Sequence, residues 1–149
     1  ANADGEVLLV GVGSLVAAAV DAAELLRSQG VAVTVVDPRW VLPVDPALVE
    51  FAAAFRVVVV AEDGVVTGGV GDAIARALRD VGARTQVETL GLAAAFVPHG
   101  RRNDLLAAAG LDAAGIAATV RRLRGAEVAP SLRLVGVGGG QPSRRDSIR

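Results

Sequence analysis

The 149-residue chain has no cysteine, no methionine and no lysine, a single histidine, a single tryptophan and three phenylalanines. Without cysteine there is no disulfide framework, no thiolate nucleophile and no Cys-ligated metal site, and the lack of disulfides favours a cytoplasmic location. One histidine rules out a His-rich metal site. A phosphate-binding loop of the Gly-Lys-Ser/Thr type cannot form without lysine. No apolar run is long enough for a membrane span, and ANADGEVLLV at the start lacks the basic stretch and cleavage pattern of a signal peptide. The formal net charge of −1 gives no basic field for nucleic acid, so the expected partner is a small molecule or a protein. With no methionine even at position 1, the sequence reads as a piece of a longer protein.

Hydrophobic residues make up 52% of the chain, enough for a real core in one domain. Val7 to Val12 is an almost unbroken aliphatic run and predicts a strand buried on both faces, as in a parallel sheet. Ser14 opens a helix that continues from Leu15 to Arg27 and is closed by Gly30. Val31 to Val36 is a second strand. The two-proline stretch Asp37 to Asp45 is a connector, and Asp45-Pro46 starts a short helix over Ala47 to Phe55. Arg56 to Ala61 is a third strand, and Gly68, Gly69 and Gly71 form a turn into a helix from Asp72 to Val81. Arg84 to Leu90 is a fourth strand, Asn103 to Ala109 a short helix, and Asp112 caps a last helix reaching Arg124. Alternating strands and helices imply a three-layer α/β/α fold on a mainly parallel sheet of about four strands. Residues 1–125 are expected to form the domain and 126–149 a disordered tail.

Three places could carry chemistry. Gly11-Val-Gly13-Ser14 follows a strand and opens a helix, with Asp37 at the end of the next strand, the arrangement of a dinucleotide site. Val16 stands where that fingerprint needs a small residue and is expected to hold the helix away from the strand, so a plain turn is the preferred reading. The second place is Glu62-Asp63-Gly64 followed by Gly68, Gly69 and Gly71, where backbone N–H groups at a helix start could cradle an anion. A tight turn is again preferred, with one of the two acids bonding the glycine loop or an arginine. The third is His99, a possible general acid or base with no nucleophile beside it, better read as a loop or interface residue. Trp40 beside Pro43 suits a domain contact.

Three sequence blocks carry a family resemblance. Val35 to Asp45 resembles the D-x-R-x-x-x-P-x-D stretch of transketolase-type C-terminal domains, matching at Asp37, Arg39, Pro43 and Asp45. Glu62 to Ile74 is similar to the acid-then-GGxG block after that family's third strand. Leu90-Gly-Leu92, Phe96-Val-Pro-His-Gly100, Leu105-Leu106 and Gly110 to Ile116 resemble the 1-deoxy-D-xylulose-5-phosphate synthase branch. The resemblance runs from Val7 to Leu123. It departs at Leu92 to Phe96, where the family usually has a proline and a polar residue, and at the front, where members generally have another strand before Val7.

The resemblance implies a part of an enzyme that condenses pyruvate with glyceraldehyde 3-phosphate, losing carbon dioxide, in isoprenoid precursor and thiamine or pyridoxal biosynthesis. In that family thiamine diphosphate and magnesium are held by a GDG-and-Asn motif in the first domain, and a glutamate in the second activates the pyrimidine ring. Neither is recognisable here, so the chain alone is expected to be inactive, with no catalytic, cofactor-binding or metal residues. Its implied role is to pack on upstream domains and support a homodimer. Asp37, Arg39, Trp40, Pro43 and Glu62 are expected at that interface, at the carboxyl ends of parallel strands, with Arg39 facing a carboxylate. The alternatives are a 2-oxoacid dehydrogenase β-subunit domain that docks an acyltransferase, and an independent nucleotide-binding module using Gly11 and Gly13.

Overall fold

The computed structural model describes residues 6–125; the expected disordered tail, 126–149, lies outside them. The element order is β1 (Val7–Gly11), α1 (Val16–Arg27), β2 (Val33–Val36), α2 (Pro46–Ala53), β3 (Val57–Val65), α3 (Val70–Asp80), β4 (Gln86–Leu92), α4 (Arg102–Ala108) and α5 (Ala113–Gly125). The strands form one parallel sheet in the order β2-β1-β3-β4. Val7 pairs with Val33 on one side and Val57 on the other. Both neighbours of β1 are taken, and among the described residues β2 and β4 are the edge strands.

Strand alternation sorts the core into two layers. Val7, Leu9, Val57, Val59 and Ala61 face α1 and α5, where Ala19, Ala22, Ala23, Leu26, Ile116 and Val120 complete one cluster. Leu8, Val10, Val58 and Val60 face α2 and α3, meeting Val49, Ala52, Phe55, Ile74 and Leu78. The continuous aliphatic runs are therefore needed on both faces, and every residue of β1 is buried.

Local signals operate as expected at several ends. The Asp45 carboxylate accepts from the Ala47 N–H at 2.8 Å, with Pro46 in the first turn of α2. Gly30, at φ +79°, closes α1, and the Val31 N–H returns to the Leu26 carbonyl at 3.1 Å. That bond draws Val31 into the helix cap, so β2 starts at Val33 rather than Val31.

Larger differences lie further on. The third strand does not stop at Ala61 but continues to Val65, across an irregularity where Glu62, Asp63 and Gly64 stand opposite Gly91 alone. A side chain on Gly91 would come within 2.8 Å of the Gly64 carbonyl, so the glycine admits that bulge. The fourth strand runs to Leu92, two residues past its expected end, because the Val66 N–H still pairs with the Leu92 carbonyl at 3.0 Å.

Candidate functional site

The carboxyl ends of the four strands carry nearly every residue singled out in the sequence. Glu62 is the one buried charged residue among the described residues, with 6% of its surface exposed. It continues the 58, 60 alternation of β3 toward the α3 layer. There its two carboxylate oxygens accept the Val70 and Gly71 N–H groups, each at 2.9 Å. These are orphan donors at the start of α3, where the helix dipole also favours a negative charge. The cap thus arrives from eight residues upstream, which is why α3 begins at Val70 rather than Asp72.

Each glycine of the following turn has its own cause. A Cβ on Gly69 would run into the Glu62 carboxylate, and one on Gly71 into the side chain of Thr89 on β4. Gly68 takes φ +77°, and its N–H donates to the Asp72 carboxylate at 2.7 Å. The glycines let a helix N-terminus close down on an internal carboxylate. An anion cradle is indeed formed here, and the anion in it is the protein's own.

Asp63 points to the opposite layer. Its Oδ2 accepts from Arg102 at 2.5 Å and from the Ser14 hydroxyl at 3.3 Å, while Arg102 also donates to Ser14 Oγ at 2.7 Å. The three side chains come from α4, the end of β3 and the turn after β1. They bridge the carboxyl ends of β1 and β3, the point where strand order reverses and open α/β sheets commonly bind ligands. Sequence reading anticipated that one of the two acids would bond the glycine loop or an arginine; here Glu62 does the first and Asp63 the second. It missed Arg102 and Ser14, which lie 39 and 49 positions from Asp63.

The first glycine motif behaves differently from its expectation. Val16 does not hold α1 away from β1: a Cβ on Gly11 would lie 2.7 Å from Val16 Cα and 3.1 Å from its nitrogen. Gly11 itself supplies the close approach, so Val16 need not be small. Gly13 turns the chain at φ +57° with open space around it. Val12, Gly13, Asp37, Pro38, Arg39 and Val41 line an open cleft of about 430 Å³.

The β2 loop brings Asp37, Arg39, Trp40 and Pro43 together at the surface. One Asp37 oxygen accepts the Arg39 N–H at 3.0 Å, and the Trp40 N–H donates to the Pro38 carbonyl across Arg39, which sits at φ +51°. A non-glycine residue in that region is uncommon and shows a tightly specified turn. It turns the Arg39 side chain outward, where it makes no ion pair among the described residues. Trp40 is 65% exposed. Glu62, grouped with these four in the sequence, is buried where they are exposed, because α3 engages both of its oxygens. His99 is exposed in the β4–α4 loop and has no hydrogen-bond partner among the described residues.

Among the described residues no group of three or more His, Asp or Glu side chains could hold a metal ion, and no helix is long and apolar enough to cross a membrane. Residues 2–116 match the model of the transketolase C-terminal domain. The chain belongs to the transketolase C-terminal domain family. Within that family it is 51% identical over 113 residues to 1-deoxy-D-xylulose-5-phosphate synthase 1 of Kitasatospora griseola, covering 76% of this chain and 17% of that synthase. It is 50% identical over 112 residues to the synthase of Thermobifida fusca, covering 75% of this chain and 18% of the relative. A solved structure described as a split gene transketolase, inactive beta4 tetramer, matches with TM-score 0.72 and 33% identity over 78% of this chain and 38% of that one. This transketolase C-terminal domain therefore spans a fifth or less of the length of the synthases it matches.

Proposed function

We propose that the chain serves as the C-terminal docking domain of a cytoplasmic 1-deoxy-D-xylulose-5-phosphate synthase, packing against upstream domains and supporting a homodimer, with the condensation of pyruvate and glyceraldehyde 3-phosphate carried out elsewhere in the enzyme. The identity to two such synthases supports the assignment over a dehydrogenase β subunit. The observation that carries the docking role is the contrast at the strand carboxyl ends. Inside, the anion cradle is filled by the domain's own Glu62, and the switch point is bridged by Arg102 with Asp63. Outside, Arg39, which makes no ion pair among the described residues, and the large apolar side chains of Trp40 and Leu42 face solvent.

Thiamine diphosphate and magnesium do not fit the described residues. The helix start that would hold a phosphate already holds Glu62, and the described residues offer no metal-binding cluster. No step of the reaction is assigned to this chain.

Arg39 tests the reading. Replacing it with glutamate should weaken binding of the chain to the Kitasatospora griseola synthase lacking its own copy of this domain by at least about tenfold, since a like charge would face the carboxylate proposed as the partner of Arg39 across the interface. Calorimetric titration measures the effect, and an unchanged affinity would count against a rim built around Arg39.

A further inference from the structure

The Ala93–Arg101 loop between β4 and α4 carries Phe96, whose side chain is 101% exposed, and Val97 beside it, also exposed. A phenyl ring gains nothing from such a position in water, and exposed apolar groups gathered in one region mark contact surfaces. Trp40 and Leu42 are exposed after β2, and Val65 at the end of β3. Since β2 and β4 are the two edge strands, Trp40 and Phe96 flank the sheet end, three strand spacings or about 14 Å apart at the strands.

The loop is fastened at both ends. Leu92 is paired to Val66 through the sheet, and Arg102, directly after the loop, is bonded to Asp63 and Ser14. Helix α4 is short and buries only Leu106, so the arginine is its main polar tie to the rest of the fold.

We propose that the Ala93–Arg101 loop is a prearranged anchor: Phe96 enters an apolar socket on the upstream, cofactor-binding part of the synthase, and Arg102, through Asp63 and Ser14, is the positioning residue that holds the loop in its binding shape. This rests on the docking function proposed above. The occupant is a protein domain of the same enzyme because four fifths or more of each matched synthase lies outside the segment this chain covers. The chemistry agrees: aromatic rings edged by arginines are typical of buried interface centres, and the side chains of Arg39 and Arg101 make no ion pair among the described residues.

The test is calorimetric titration of the 149-residue chain against Kitasatospora griseola synthase 1 lacking its own copy of the domain, with hydrogen exchange on the free chain. Phe96→Ala should bind at least about tenfold more weakly with an unchanged melting temperature. Arg102→Ala should speed exchange of the α4 amides from Leu105 to Ala109, the first of which is bonded to the Arg101 carbonyl at the end of the loop, and weaken binding although Phe96 is intact, and Arg102→Lys should restore part of both. If Phe96→Ala binds like the unsubstituted chain while Trp40→Ala binds weakly, the rim docks but the loop is not its anchor. Unchanged exchange in Arg102→Ala would overturn the positioning role. No binding by the unsubstituted chain to a truncated synthase that circular dichroism shows to be folded would overturn the docking function itself, and the anchor with it.

Discussion

Replacing Glu62 with alanine is expected to lower the stability of the domain by about 3–4 kcal/mol, because two hydrogen bonds to a charged group are lost at once. The Val70 and Gly71 N–H groups would remain at the start of α3 without partners, beside the space left by the side chain. For a domain of this size that corresponds to a fall in melting temperature of roughly 10–15 °C. Glutamine is the informative control. Its amide oxygen can accept one N–H, but its NH₂ group opposes the other, so about half of the loss should return. Denaturant unfolding of the three proteins measures this, and a loss below about 1 kcal/mol for the alanine variant would show that the carboxylate is not the cap of α3.

Gly11→Ala should cost about 3 kcal/mol, for a different reason. The new methyl would meet Val16 Cα and N, which are backbone atoms and cannot rotate aside. Helix α1 would have to lift from the sheet, loosening Ala19, Ala22, Ala23 and Leu26 in the core. Gly30→Ala separates this from a general intolerance of glycine replacement. Gly30 has φ +79° and open space, so alanine there meets only the left-handed backbone penalty of about 1–2 kcal/mol. Chemical denaturation compares the two. Equal losses would mean that the helix–strand approach at Gly11 is not tight.

The strands that sequence reading placed best are those whose composition is uniform. Val7 to Val10 and Val57 to Ala61 are aliphatic on both faces because both faces are covered by helices, and their shortness and β-branched content favour strands. Where local chemistry and tertiary structure disagree, the sequence misleads. Glu62-Asp63-Gly64 has turn composition, yet it lies within β3, because β4 continues to pair beyond the bulge. Asp72 has the residue type of a helix cap and instead bonds Gly68, since the cap of α3 is Glu62.

One signal for the site was present in the numbering. Continuing the alternation of β3, position 62 falls with Val58 and Val60 toward α3, and position 63 falls with Val59 and Ala61 toward the α1 and α5 layer. The two adjacent acids were therefore bound to serve opposite sides of the sheet. No local pattern could have shown that Arg102 reaches Asp63 and Ser14 across 39 and 88 positions, or that Arg39 adopts a positive φ. Those depend on how α4 and the β2 loop settle over the finished sheet. The family was legible because its blocks combine constraints that now have causes: an acid that caps, glycines that let it in, and a surface loop held by Asp37.

In the role proposed for it, this domain contributes docking and no chemistry. The most direct measurement is carbon dioxide release from pyruvate in the presence of glyceraldehyde 3-phosphate, thiamine diphosphate and magnesium. It compares this chain alone, the Kitasatospora griseola synthase lacking its own copy of the domain, and the two mixed. Release above background only in the mixture is the expected result; turnover by this chain alone would contradict the account.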